Sequence, residues 1–177
     1  MISVLGLGNV LMGDDGLGPV AVRAFEAEYI VAPGVQVIDL GTPGLDLLPW
    51  LADVERVILV DTVKTELPPG SVRLYEKADL LRYPPTARVG PHDPGVKEAL
   101  HALEFAGRAP REVALIGVVP ESAAMSLQLA PTIQAAVRTA VVAIEITLPR
   151  FGTSVERRPL PKEVASTLFP TRARSLG

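Results

Sequence analysis

Two adjacent aspartates in a glycine-rich turn are the side chains best suited to chemistry. Asp14 and Asp15 lie in the segment Leu5 to Gly18, where an apolar run passes into the turn and then into an amphipathic helix. Two further acids, Asp39 and Asp61, follow the next two apolar runs that predict strands. Ligand sites of open parallel sheets lie beyond the carboxyl ends of the strands. We therefore expect these acids to face one crevice.

A histidine extends this set of candidate ligands. His92 lies in a turn-rich loop directly before a predicted helix, whereas His101 lies within that helix and is predicted to be structural. Asp15, Asp61 and His92 supply two carboxylates and one imidazole, a donor set that suits a borderline divalent metal such as nickel or zinc. Spacing in the sequence alone does not prove that the three side chains converge. The alternative for His92 is a position on the surface.

The aspartates also have structural interpretations. Aspartate favours the N-cap of a helix and suits the positive end of the helix dipole, so Asp14 or Asp15 is alternatively the cap of the next helix. Asp61 directly follows the apolar run Val57 to Val60, where a carboxylate needs pairing or a metal to stay charged, but a turn role also fits it. The residues themselves leave these alternatives open.

Several other catalytic and binding motifs are missing from the sequence. After Gly6 and Gly8, the third glycine of a dinucleotide-binding G-x-G-x-x-G motif belongs at position 11, which is Leu11. The phosphate-binding loop, the serine nucleophile elbow and the H-E-x-x-H zinc motif are absent, and so is cysteine. We therefore expect no nucleotide cofactor and neither of the familiar serine and zinc protease mechanisms.

The elements that must position these side chains alternate along the chain. Apolar runs rich in β-branched residues predict five strands, at Ile2 to Leu5, Val35 to Ile38, Val57 to Val60, Val72 to Tyr75 and Val113 to Val119. Helical patterns lie at Leu17 to Tyr29, Gly44 to Ala52, Gly95 to Ala106 and Pro131 to Leu148. This alternation predicts an α/β fold. The short connection from Asp61 to Ser71 has no room for a crossover helix, which predicts that the fourth strand is antiparallel.

Composition restricts the class of protein. The chain has 177 residues, 48% of them hydrophobic, which fits one globular domain at residues 1–148. A net charge of -3 disfavours nucleic acid as a partner. The apolar stretch Ala135 to Leu148 contains Arg138 and Glu145 and is too short to span a bilayer, and no targeting leader is readable. We therefore expect no membrane insertion and a cytoplasmic location.

Residues 149–177 form a basic, proline-containing tail. Six basic side chains stand against two acidic ones, without helical or strand periodicity. Such an extension is either a docking arm or simply mobile and solvated.

Several blocks of the sequence resemble one family, and they occur in that family's order. They are Gly6 to Gly18, Asp39 to Leu48, Val60-Asp61, Pro91-His92 and Leu115 to Ser122, within roughly residues 2–148. The chain is thereby identified as similar to the hydrogenase maturation endopeptidases. The resemblance implies a three-layer α/β/α, phosphorylase/hydrolase-like fold. Its mixed five-stranded sheet would have the strand order 2-1-3-5-4, with strand 4 antiparallel.

The resemblance also implies an activity. These enzymes remove a C-terminal extension from the large-subunit precursor of a nickel-iron hydrogenase after nickel insertion, and the nickel in the precursor marks it as ready. Carried over, the metal-contacting and catalytic residues are Asp15, Asp61 and His92. Many members have Glu where this chain has Asp15, which is one methylene shorter.

Substrate seating is expected from the loop that follows the second strand, with Asp39, Gly41, Thr42 and Gly44 as the contributing residues. A non-catalytic module that binds the nickel-loaded precursor is the alternative function. A nucleotide-binding oxidoreductase fragment is disfavoured by Leu11. The oligomeric state stays open.

Overall fold

The first strand and the first helix lie at the N-terminal end of the chain. The computed structural model describes residues 1–43, 47–82, 86–87, 95–122 and 124–159. Strand β1 (Ile2–Leu7) is buried along its whole length, as expected of a strand that is covered on both faces. A short 3-10 helix (Gly13–Gly16) follows and continues directly into α1 (Leu17–Glu28).

Gly18 allows α1 to begin in contact with the sheet. A β-carbon at this position would lie 2.1 Å from the carbonyl oxygen of Leu7 and 2.4 Å from that of Val60. Any side chain would therefore force the helix away from β1 and from the neighbouring strand. The glycine-rich turn has a packing reason as well as a possible chemical one.

The remaining elements, in chain order, are β2 (Tyr29–Val31), β3 (Val35–Gly41), α2 (Leu48–Leu51), β4 (Arg56–Lys64), β5 (Val72–Glu76), α3 (Lys77–Arg82), β6 (Thr86–Ala87), α4 (Val96–Phe105), β7 (Glu112–Val118), α5 (Pro131–Arg150) and β8 (Val155–Arg157). The main sheet has the order β3-β1-β4-β7-β5. Along this path the pairs are parallel except for β5, which runs antiparallel to β7, and the short strand β6 pairs antiparallel with β4. The predicted order 2-1-3-5-4 and the antiparallel fourth strand are confirmed.

Two hydrophobic layers cover the sheet. Alternate residues of the strands pack with α1 and α5 on one side, around Phe25 and Ile144. The other alternate residues pack with α2, α3 and α4 on the second side, around Leu51, Leu80 and Leu100. The architecture is therefore the predicted α/β fold with helices on both faces.

Helix α5 is longer than its apolar pattern indicated. It has 20 residues and is apolar enough to cross a membrane by length and composition. Its buried residues include Ile133, Ala140 and Leu148, which belong to the core layer shared with α1. This packing is that of a core helix.

The structure departs from the predicted elements at short segments. The helix predicted over 44–52 is present as α2 at Leu48–Leu51, while residues 44–46 lie outside the described part of the chain. Helix α3 and strands β2, β6 and β8 were not predicted, because segments of two to six residues show too little periodicity to be recognised.

The chain beyond residue 148 is partly folded against the domain. Helix α5 continues to Arg150, and β8 then pairs antiparallel with β2, with Val155 opposite Val31. Regular secondary structure thus continues past residue 148, the predicted end of the domain, which itself stays a prediction. Residues 160–177 lie outside the described residues, so the prediction of a mobile or docking tail stays a prediction there.

Candidate active site

Asp15 lies in the 3-10 helix between β1 and α1, at the carboxyl end of β1. Its carboxylate is partly buried and has two hydrogen-bond donors. The backbone N–H of Asn9 donates to Oδ2 at 2.9 Å, and the hydroxyl of Thr62 donates to Oδ1 at 3.2 Å. These bonds connect the turn after β1 to the end of β4.

Asp61 lies near the end of β4 and is partly buried. Its Oδ1 accepts a hydrogen bond of 2.7 Å from the backbone N–H of Thr62. The pKa of its carboxyl is raised to about 7, chiefly because burial disfavours the charged form. The bond from Thr62 acts against this rise, and the negative charge of Asp15 adds to it.

Asp15 and Asp61 together form what we call the acid pair. Strands β1 and β4 are parallel neighbours, so their carboxyl ends meet at one edge of the sheet. Thr62 connects the two acids, since its hydroxyl donates to Asp15 and its backbone N–H donates to Asp61. Two carboxylates this close share either a proton or a cation more readily than they both stay charged.

Asp14 has a different role from its neighbour. It is buried, and its carboxylate accepts backbone hydrogen bonds from Glu121 and Ser122, at 2.9 and 2.7 Å, and from Ala130, at 2.7 Å. It therefore ties the connection between β7 and α5 to the turn after β1. The capping alternative is wrong for both aspartates, because α1 has Gly16 at its N-cap and no side-chain cap.

The carboxylate of Asp39 binds partners outside the acid pair. Its carboxylate forms an ion pair with Arg23 of α1 and accepts a 3.2 Å bond from the backbone N–H of Gly41. The carbonyl of Gly41 in turn accepts from the N–H of Gly8 at 2.8 Å, which holds this loop beside the turn after β1. Thr42 is exposed. The predicted role of these residues in substrate seating is compatible with this position and stays a prediction.

Two of the predicted site residues, Gly44 and His92, lie outside the described residues. Within the residues that are described, no group of three or more His, Asp or Glu side chains is placed to hold a metal ion. Of the three predicted metal donors, two form the acid pair and the third is His92. The other histidine, His101, is exposed on α4 and is not part of the core.

Sequence reasoning missed Thr62, the residue that connects the acid pair. It is fully buried in a strand whose other buried residues are aliphatic. A hydroxyl in such a position needs a hydrogen-bond partner, and that requirement was a usable signal. The partner itself was not readable, because Asp15 is distant from Thr62 in the sequence.

The cavity that lies at the amino end of β7 is not part of this site. It is lined by residues that include Glu76, Lys77, Arg111 and Arg150. These residues lie at the edge of the sheet opposite to the acid pair, so the cavity does not lead to it.

Comparisons of the sequence with known proteins indicate one family. A family model described as hydrogenase maturation protease matches residues 19–146. The hydrogenase 2 maturation protease of Escherichia coli K12 is 31% identical over 163 residues, which cover 92% of this chain and 96% of that protein. The hydrogenase expression/formation protein HupD of Bradyrhizobium diazoefficiens is 31% identical over 165 residues, covering 90% of this chain and 84% of that protein.

A solved structure is similar over most of the chain. The hydrogenase maturating endopeptidase HybD from Escherichia coli aligns with a TM-score of 0.81 and 32% identity, covering 89% of this chain and 97% of that one. Fold and sequence thus agree over nearly the same range. The chain belongs to the hydrogenase maturation protease family, and the predicted class of enzyme, a hydrolase of peptide bonds, follows from that membership.

Proposed function

We propose that this protease removes the C-terminal extension of a nickel-iron hydrogenase large-subunit precursor after nickel has been inserted, and that nickel held by the precursor is its recognition element. The family membership supports the class of reaction and of substrate. The observation that supports the nickel-dependent step is the acid pair, Asp15 and Asp61, at the carboxyl edge of the sheet.

The chemistry of the acid pair fits a cation supplied by a substrate. Carboxylates are acceptable ligands for a borderline divalent metal. Because the pKa of Asp61 is raised to about 7, this carboxyl gains and loses its proton near neutral pH, where a cation can take the proton's place. His92 would be the third donor. Three protein donors leave coordination positions of the metal open, and the precursor would fill them.

The proposed reaction is hydrolysis of one peptide bond. Water adds to the scissile carbonyl carbon, the C–N bond breaks, and the leaving amine takes up a proton. Nickel in the precursor would polarise the carbonyl or acidify the water. Asp39, Gly41, Thr42 and Gly44 would seat the precursor chain beside the acid pair. We place the reaction in the cytoplasm; the packing of α5 into the domain core supports only that this helix does not cross a membrane.

A non-catalytic module that binds the nickel-loaded precursor is the alternative, and product mass separates the two. The intact mass of the cognate large-subunit precursor, with and without nickel, is measured before and after incubation with the protein. A single nickel-dependent loss of a C-terminal peptide is the expected result. An unchanged mass for a nickel-loaded precursor that binds the protein would favour the binding module.

The residue assignment has a matched control. Asp61→Asn keeps the size of the side chain and removes its charge, and we expect it to abolish processing. Asp53→Asn makes the same change at an exposed aspartate that precedes β4, where the carboxylate pairs with Arg108. We expect this control to process at the normal rate. A folded Asp61→Asn protein that still processes the precursor normally would remove Asp61 from the mechanism.

A further inference from the structure

Four large apolar side chains are exposed beside the acid pair. Val10 and Leu11 lie after β1 and are 39% and 56% exposed, while Met125 and Leu127 lie between β7 and α5 and are 84% and 80% exposed. We call these four residues the apolar rim. Exposed apolar groups that cluster on a protein surface mark interaction sites more often than isolated ones do.

The two loops of the apolar rim are joined to each other. The backbone N–H of Gly13 donates to the carbonyl of Ser126 at 2.8 Å, and the N–H of Ser126 donates to the carbonyl of Leu11 at 3.2 Å. The loops precede α1 and α5, which pack together in one layer of the fold. The two loops that carry these four exposed side chains therefore lie side by side.

This surface is held in place before any partner arrives. The buried carboxylate of Asp14 fixes three backbone N–H groups of the second loop. The side chain of Asn9 accepts a 2.9 Å bond from the N–H of Leu11 and so orders the first loop. A surface that is already ordered loses less conformational entropy on binding than a mobile one.

The rim is continuous with the acid pair. Asn9, whose N–H binds Asp15, directly precedes Val10 in the same loop. Strands β1 and β7, which lead into the two loops, flank β4, the strand that carries Asp61, in the order of the main sheet. A polypeptide bound with its scissile bond at the acid pair can therefore extend across this rim.

The chemistry of the rim selects its occupant. Residues 8–13 and 122–130 contain no charged side chain. We propose that the apolar rim binds an uncharged, apolar stretch of the precursor polypeptide next to its cleavage site, and thereby contributes to substrate selection. This inference rests on the proposed function and names the part of the substrate that the surface recognises.

The test separates binding from chemistry. The double variant Met125→Gln with Leu127→Gln keeps side-chain length and removes apolar character. We expect KM for the nickel-loaded precursor to rise about 10-fold or more, with kcat nearly unchanged. Binding of the same precursor to an Asp61→Asn protein, measured by biolayer interferometry, should weaken by a similar factor when the two changes are added.

Phe105→Gln is the matched control. Phe105 is 97% exposed at the end of α4, toward the opposite edge of the sheet. We expect this variant to keep the normal KM and affinity. Circular dichroism tests whether each protein is folded. If the double variant is not folded, the single variants Leu127→Gln and Leu11→Gln replace it.

Unchanged KM and unchanged affinity in a folded double variant would overturn the docking proposal and leave the protease assignment intact. A wild-type protein that binds the precursor without cutting it would instead defeat the proposed function, while the affinities would still test the rim. Sedimentation velocity tests whether a second copy of this chain occupies the rim instead. If the wild type self-associates, and the double variant is monomeric with normal KM, then the rim joins two copies of this chain and the proposal is wrong.

Discussion

Replacement of Asp14 by alanine should destabilise the protein while leaving the acid pair chemically intact. The carboxylate of Asp14 is buried and accepts three backbone hydrogen bonds, from Glu121, Ser122 and Ala130. Alanine removes both acceptor oxygens and therefore all three bonds at once. The connection between β7 and α5 then loses its attachment to the turn after β1.

The size of the effect follows from the number and environment of these bonds. A hydrogen bond to a charged group contributes about 1.5 to 3 kcal/mol, so three set an upper range of about 5 to 9 kcal/mol. The loop is largely exposed, and water replaces part of what is lost. We therefore expect the free energy of unfolding to fall by about 3 kcal/mol and the melting temperature by about 6 to 12 °C.

Asp14→Asn gives an internal scale for the same measurement. Two of the three bonds end on one carboxylate oxygen, Oδ2, and the third ends on Oδ1. An amide keeps one oxygen, so it retains the two bonds and turns its NH₂ group toward the N–H of Ala130. We expect Asn to lose about half as much stability as Ala does.

Urea unfolding followed by circular dichroism measures these differences. Hydrogen exchange of the Ser122 and Ala130 amides reports on the bonds individually. Glu121→Ala, which removes an exposed carboxylate from the same loop and keeps its backbone bond, is the control and should change stability by less than about 0.5 kcal/mol. A loss below about 1 kcal/mol for Asp14→Ala would refute the assignment of Asp14 as the tie between the loops.

Two further predictions concern the acid pair and the start of α1. In metal-free protein, Asp61 binds its proton more tightly when folded, so the free energy of unfolding should fall as pH rises from about 4 to about 7, by at most about 4 kcal/mol. Asp61→Asn should flatten this dependence of the free energy of unfolding on pH. Urea unfolding in EDTA at several pH values in that interval measures it for both proteins. An equally steep slope in the variant would show that burial of Asp61 is not the cause. Gly18→Ala should lower the free energy of unfolding by about 2 kcal/mol or more, because its β-carbon would clash with the carbonyl oxygens of Leu7 and Val60. Calorimetry that finds the variant as stable as wild type would contradict that steric argument.

The sheet was predictable because its strands carry strong local signals. The buried runs of β1, β4 and β7 are continuous apolar segments, and the connection before β5 is too short for a crossover helix. The order of the strands, by contrast, came from the family resemblance. Periodicity identifies elements, but it contains no information on which strands become neighbours.

That Asp15 and Asp61 lie at one edge of the sheet was predictable, whereas the contacts of these and the neighbouring acids were not. Asp14 and Asp15 are adjacent and chemically identical, yet one ties two loops together and the other belongs to the acid pair. The family resemblance singled out Asp15, but the contacts that separate the two aspartates depend on the tertiary positions of Thr62 and Ala130. The ion pair of Asp39 with Arg23 was missed for the same reason, since the partner lies on a different element.

The pairing of β2 with β8 has a consequence for the order in which the chain assembles. These strands join the segment after α1 to the segment after α5, so most of the described chain lies between them. Contacts between residues so distant in sequence require a large loop to close first. We expect them to form after the main folding barrier, so that loosening Val155 speeds unfolding and leaves the folding rate nearly unchanged. In kinetic terms, this small second sheet would govern how long the native state lasts and have little influence on how quickly it is reached.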